Sequence, residues 1–203
     1  LGYRFLSRAF RTAPDAALID AVLRMADAER ADDDPLAPFY AEAADADAET
    51  LRIDLAADYN QLFLGMSAHP VAPYESVYTS DEGLMMQEAR DEVLAVYRSE
   101  GLDKLPSWKE SEDHIALELE FMAVLGDRIV TAAEAADEAE VERLLSTQRN
   151  FLEDHLASWA PLMTADLRRF TQCGLYQGLA SLTDGFLQVE EEFFDEIFET
   201  EGE

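Results

Sequence analysis

Apolar residues recur at spacings of three and four along the chain, and no window of four or more residues alternates as a strand does. That pattern commits the chain to an all-α fold. Helices are expected at about 2–12, 15–30, 36–47, 50–64, 81–100, 110–131, 135–157, 160–172 and 174–199. Pro14 and Asp15 open the second, Pro35 and Pro38 frame the start of the third, and Thr50 can cap the fourth. Ser107 and Glu110 have the spacing of a capping box ahead of the long central helix. This helix carries Ile115, Leu119 and Met122 on one stripe and Leu117, Phe121, Val124 and Leu125 on another. A helix apolar on so much of its circumference needs neighbours on several sides. It is expected to be the spine of a single-domain bundle spanning 1–203, closed by the apolar-rich last helix.

One stretch interrupts the helical period. HPVAPYESVY (69–78) holds two prolines, two tyrosines and a histidine, and Pro70 and Pro73 exclude a regular helix there. A connector needs far less aromatic surface, so the loop is expected to present something. The alanine-rich acidic stretches 41–49 and 131–140 read instead as solvated helix faces or connections.

Charge narrows the partners. Against 44 acidic side chains stand 15 basic ones, two of them lysines (Lys104 and Lys109), for a net charge of −29. A phosphate backbone would be repelled, which argues against nucleic acid. Such self-repulsion destabilises a fold in dilute buffer and is relieved where the screening length falls to ~3 Å, near 1 M salt. Few lysines among many carboxylates is the composition expected of a halophile's cytosolic protein, with an acidic mesophilic protein as the alternative. No apolar run of ~18 residues marks a membrane span. The opening LGYRFLSRAFRTA lacks the apolar run and cleavage site of a secretory signal. The chain starts at Leu1 rather than Met, which leaves open whether residues precede it. The one cysteine, Cys173, cannot form an internal disulfide and suits a reducing cytoplasm.

Candidate chemistry is sparse. Glu-Asp-His occurs twice, at 112–114 and 153–155, each followed by an aliphatic residue and alanine. Di-iron bundles use Glu-x-x-His, so that both ligands point inward, and neither that spacing nor HExxH is present here. His155, with Phe151 and Trp159 four residues to either side, reads as a packed histidine at the core edge. No nucleophile motif or glycine-rich phosphate loop appears, so neither a catalytic site nor a cofactor is expected. Asp113 and His114 fall at the start of the central helix, with Glu118 one turn beyond His114. Taken alone they read first as a capping aspartate and a histidine bonded to neighbouring backbone.

Three segments in order, DYNQLFLG (58–65), APYESVYTSDEGLMMQE (72–88) and EDHIALELEFMAVL (112–125), resemble the TorD/DmsD family of redox-enzyme maturation chaperones. FLEDHLASWAPLM (151–163) and LYQGLASLTDGFL (175–187) add to the match, which spans about residues 50–187. The resemblance implies an all-α cytosolic protein of anaerobic respiration that does no redox chemistry. It would bind a molybdopterin oxidoreductase of the dimethyl sulfoxide or trimethylamine N-oxide reductase type, holding its twin-arginine leader or apoprotein until the cofactor is inserted. Tyr74, Glu75 and Ser76 match the family's P-Y-E-S, and Asp113 and His114 match its P-x-D-H, with Ser111 where the proline is usual. With Tyr78 and Glu118 these form the expected peptide-binding set. A nitrate-reductase-delta-like chaperone that reads no leader is the alternative, a metal-dependent helical enzyme a third, and the state is monomer or dimer.

Overall fold

The computed structural model describes residues 1–26 and 34–200. In chain order the helices are α1 (Gly2–Arg11), α2 (Ala16–Met25), α3 (Ala37–Asp45), α4 (Ala48–Phe63), α5 (Glu75–Thr79), α6 (Glu88–Ser99), α7 (Ile115–Glu134), α8 (Glu138–Phe151), α9 (Ala157–Phe170) and α10 (Gly174–Thr200). Among the described residues there is no strand. The end of the helix expected over 15–30 lies outside the described residues.

The caps explain several starts. Asp15 accepts from the Leu18 amide at 2.8 Å and opens α2. The cap of α4 is Asp47 rather than Thr50: Asp47 accepts from the Thr50 amide at 3.0 Å, and the Thr50 hydroxyl merely braces it. Helix α6 stops at Gly101, whose φ of +68° lets the Leu102 amide reach back to the Tyr97 carbonyl at 2.9 Å.

Helix α7 is the spine. Over its first two turns nearly every side chain is buried, from Ile115 to Leu119. It packs on α1 and on α8, while α10 packs on α9, α3 and α1. Trp159, Tyr176, Phe10 and Phe39 are among the largest fully buried side chains. Each large apolar side chain so buried contributes roughly 1.5–3 kcal/mol of transfer free energy. Gly174 lets α10 approach α3 closely: a Cβ there would lie 2.5 Å from the Phe39 amide nitrogen.

Other boundaries differ from the sequence reading. The helix expected from 81 begins at 88, because Gly83 and Met86 both take positive φ (63° and 59°). The central helix begins at 115 rather than 110. Its cap is His114, so Ser107 and Glu110 form no capping box. The two helices expected at 135–157 and 160–172 are one rod from Glu138 to Phe170, joined through a π turn at Leu152–Leu156. Within the proline-rich loop, Glu75–Thr79 nevertheless winds into one short helix, α5.

Candidate functional site

The two motif segments meet through backbone. The Ile115 amide donates to the Pro73 carbonyl at 2.9 Å and the Glu75 amide to the Asp113 carbonyl at 3.0 Å. This antiparallel bridge pairs Tyr74 with His114 and explains why 110–114 cannot be helical. Side chains then lock it. Asp113, wholly buried, accepts from the Ser76 amide at 3.0 Å and from the Ser76 hydroxyl. It thus supplies, from a distant segment, the acceptor that the start of α5 needs. His114 Nδ1 accepts from the Ala116 amide at 3.0 Å, which fixes the ring proton on Nε2. Burial, with Arg11 nearby, pushes its pKa down to about 3, so the ring is neutral.

Behind the bridge lies a buried polar cluster. His155, carried on the π turn, places Nδ1 3.1 Å from both carboxylate oxygens of Glu75. Glu118 accepts from the Trp159 indole at 3.0 Å, while its other oxygen has no donor. Burial first, then the charge of Glu75, raises the Glu118 carboxyl well above its ordinary range. A proton on Glu118 both removes a buried charge and lets the group donate to Glu75. Glu112 stays ionised between Arg90 (2.6 Å) and Lys104 (3.0 Å), which hold its pKa low despite its burial.

In front of the bridge runs an aromatic row. The His114 ring sits edge-on between Tyr74 (5.2 Å) and Trp108 (5.3 Å), and the Tyr74 hydroxyl donates to Glu110 at 2.5 Å. Burial and Glu110 raise the Tyr74 phenol, and burial and Asp166 raise that of Tyr78, so both remain protonated. Trp108 forms one wall of a cavity of about 180 Å³ shared with Leu105, Leu117, Phe121 and Val124. Arg11, Asp103, Lys104 and Glu120 supply its charged groups. The Arg11 guanidinium lies 5.1 Å over the Trp108 ring and pairs with Glu120.

Six of the seven sequence-predicted residues, Tyr74, Glu75, Ser76, Asp113, His114 and Glu118, therefore come together, and all six are buried. Tyr78 stands apart, half-buried, stacked on Trp159 at 5.7 Å. Sequence reasoning did not include Trp108, His155 or Trp159 in the set. The i, i+4 spacing of His155 and Trp159 was the available signal, since it puts both on one helix face. The two Glu-Asp-His triplets meet around Glu75 but form no joint ligand set: the first histidine caps α7 and the second pairs with Glu75. Among the described residues no group of three or more His, Cys, Asp and Glu could hold a metal ion.

Comparison with known proteins gives a consistent picture. Residues 27–165 match the family described as nitrate reductase delta subunit. The chaperone protein TorD of Vibrio cholerae serotype O1 (strain El Tor Inaba N16961) is 31% identical over 148 residues, 73% of this chain and 66% of that protein. TorD of Photobacterium profundum is 30% identical over 145 residues, covering 71% of this chain and 66% of the relative. The chain thus spans just under two thirds of the length of these relatives. Among solved structures, a protein described as a redox enzyme maturation protein from Archaeoglobus fulgidus matches with a TM-score of 0.53 and 20% identity, over 92% of this chain and 93% of that one. At that identity the likeness speaks for the fold alone.

Proposed function

The chain belongs to the nitrate reductase delta subunit family, with TorD chaperones among its relatives, and from that premise we propose that it is a maturation chaperone. It is a binding protein rather than an enzyme. Its client is the apoprotein of a molybdopterin oxidoreductase, which it holds by a twin-arginine leader in the cytoplasm until the cofactor is inserted.

The observation that carries this reading is the apolar-walled cavity against Trp108, one ring from His114. A leader of this kind offers two guanidinium groups followed by an apolar stretch. Leu105, Leu117, Phe121 and Val124 give the apolar stretch its wall, and Asp103 and Glu120 are carboxylates on the same cavity. The stacking of Arg11 on Trp108 illustrates how that indole receives a guanidinium. In this reading the buried set Tyr74, Glu75, Ser76, Asp113, His114 and Glu118 does its work by holding the proline-rich loop against the start of α7, which fixes the cavity's shape before the leader arrives. Tyr78 anchors α5 to α9 by stacking on Trp159.

The test is titration calorimetry of a twin-arginine leader peptide in molar potassium chloride, where long-range attraction is screened. Trp108→Ala is expected to weaken binding about tenfold, because it removes a stacking partner and an apolar wall at once. A leader with both arginines changed to lysine should bind more weakly, since lysine lacks the planar fork. Equal affinity in every combination would place recognition elsewhere. The family match itself favours a second reading, a delta-type chaperone that engages the mature enzyme without a leader. Binding of the leaderless apoprotein alone would select it.

A further inference from the structure

Arg11, in the last turn of α1, sits where a ligand would. Its guanidinium lies 5.1 Å over the Trp108 ring and pairs with Glu120 of α7. Those are an indole face and a carboxylate of the apolar-walled cavity, the same groups that a leader's arginine would use. The pairing is single-pronged. Nη2 alone donates, to Glu120 Oε2 and, at 3.5 Å, to the Ser7 hydroxyl. Among the described residues, Nε, Nη1 and Glu120 Oε1 take no hydrogen bond. A guanidinium and a carboxylate can instead meet through two parallel bonds, so an incoming arginine can hold Glu120 better than Arg11 does. The Arg11 and Glu120 side chains are 32% and 42% exposed, and ion pairs in that setting are weak.

A staple between α1 and α7 is the plainer role for such a residue, and Arg4 already fills it. Two turns earlier on the same helix, Arg4 pairs with Asp127 of α7. Arg11 differs in standing at the boundary between two cavities. On one side is the Trp108 cavity; on the other is one of about 260 Å³ lined by Arg4, Ser7, Arg8 and Glu120. There Arg4 and Arg8 are neutralised by Asp127 and Asp15. The Arg11 side chain can therefore turn into this second space without meeting uncompensated positive charge.

We propose that Arg11 is a built-in competitor for the leader: it occupies the guanidinium position on Trp108 and Glu120 in the free protein, and a leader arginine displaces it into the second cavity. The proposal rests on the leader reading above and adds the regulation of that site. Every incoming guanidinium must displace Arg11, so the affinity for all of them falls by the same factor. Isolated arginines then bind too weakly to fill the site. A leader whose apolar stretch also seats against Leu117, Phe121 and Val124 still binds, and the return of Arg11 helps it leave.

The test is the leader titration in molar potassium chloride, run on Arg11→Gln, which removes the guanidinium and keeps a helix-compatible side chain. This variant should bind the leader about three- to thirtyfold more tightly than wild type, the range set by one exposed ion pair and one cation–π stack. The gain should shrink in a Glu120→Gln background, because the carboxylate that Arg11 masks is then absent. Arg4→Gln makes the same charge change and removes an α1–α7 ion pair, and should leave leader affinity within about twofold. Ethylguanidinium probes the position without a leader. In excess it should shift the Trp108 emission of Arg11→Ala and leave wild type unchanged, with fully buried Trp159 as a constant background. Ethylammonium, which lacks the planar fork, should shift neither. Leader affinity that is unchanged or weaker in Arg11→Gln would overturn the proposal and leave the leader reading in place, and so would an Arg11→Ala protein blind to ethylguanidinium. If ethylguanidinium enters Arg11→Ala but neither wild type nor any variant binds the leader, the leader reading fails and the self-occupied guanidinium site stands.

Discussion

Replacing Glu118 with glutamine probes the buried cluster most directly. Glu118 is fully buried in α7, with one oxygen bonded to the Trp159 indole and the other lacking a donor beside Glu75. Burial and the neighbouring carboxylates raise its folded-state pKa above the unfolded one. Between those two values the folded state keeps a proton that the unfolded state releases. Stability contributed by this group is therefore complete below the ordinary carboxyl value and falls as pH rises toward the raised value. While the group stays protonated the slope is one proton, about 1.4 kcal/mol per pH unit. Wild type thus loses stability through Glu118 as pH rises from the ordinary carboxyl range toward the raised value. Glutamine has nearly the same shape, accepts from Trp159 and donates to Glu75 at every pH. Urea unfolding followed by helical circular dichroism at several pH values should show the stability difference, Glu118→Gln minus wild type, growing with pH, by at most the one-proton slope. In heating experiments the melting temperature of Glu118→Gln relative to wild type should rise over the same pH range. Parallel pH profiles would mean that Glu118 is already ionised in the fold, and the account of the cluster would be wrong.

Two further outcomes follow from other parts of the molecule. Ala136 closes α7 with a φ of +55° and is exposed, so Ala136→Gly should stabilise the fold by about 0.5–1 kcal/mol, read as a higher urea midpoint with an unchanged slope. With a net charge of −29, the melting temperature should rise on moving from dilute buffer to molar potassium chloride, and a constant or lower value would remove self-repulsion as a determinant of stability.

The helical architecture was legible because apolar spacing is a local signal. Boundaries went astray where distant contacts override local preference. Ser107 and Glu110 look like a capping box, yet 111–114 are drawn out to pair with the proline-rich loop, and His114 takes the cap. Residues 81–87 look helical, but the loop is pinned to Ser76 in a left-handed turn. The candidate set was located by family resemblance rather than by chemistry visible in its residues. Its burial was out of reach, because the partners lie far along the chain: 37 residues separate Ser76 from Asp113, and 80 separate Glu75 from His155. Charged and polar residue types suggested contact with a ligand, whereas hydrogen bonds within the fold account for most of them.

The π turn at Leu152–Leu156 makes chain length, as well as residue type, a determinant of the site. An α-helix advances about 100° per residue, and a π turn inserts one residue without ending the rod. Upstream, Gln148 points at α7 and donates to the Met122 carbonyl. Downstream, Trp159 reaches Glu118 and stacks on Tyr78. Deleting one residue from the wide turn would turn 157–170 through about a third of a revolution relative to 138–151. Trp159 would swing off Glu118, and exposed residues such as Leu162 would rotate toward the core. The rod behaves as a phase shifter, so variation in this segment is constrained in number before it is constrained in identity. A single-residue deletion here should cripple the protein where most substitutions at exposed Glu153 or Asp154 leave it intact.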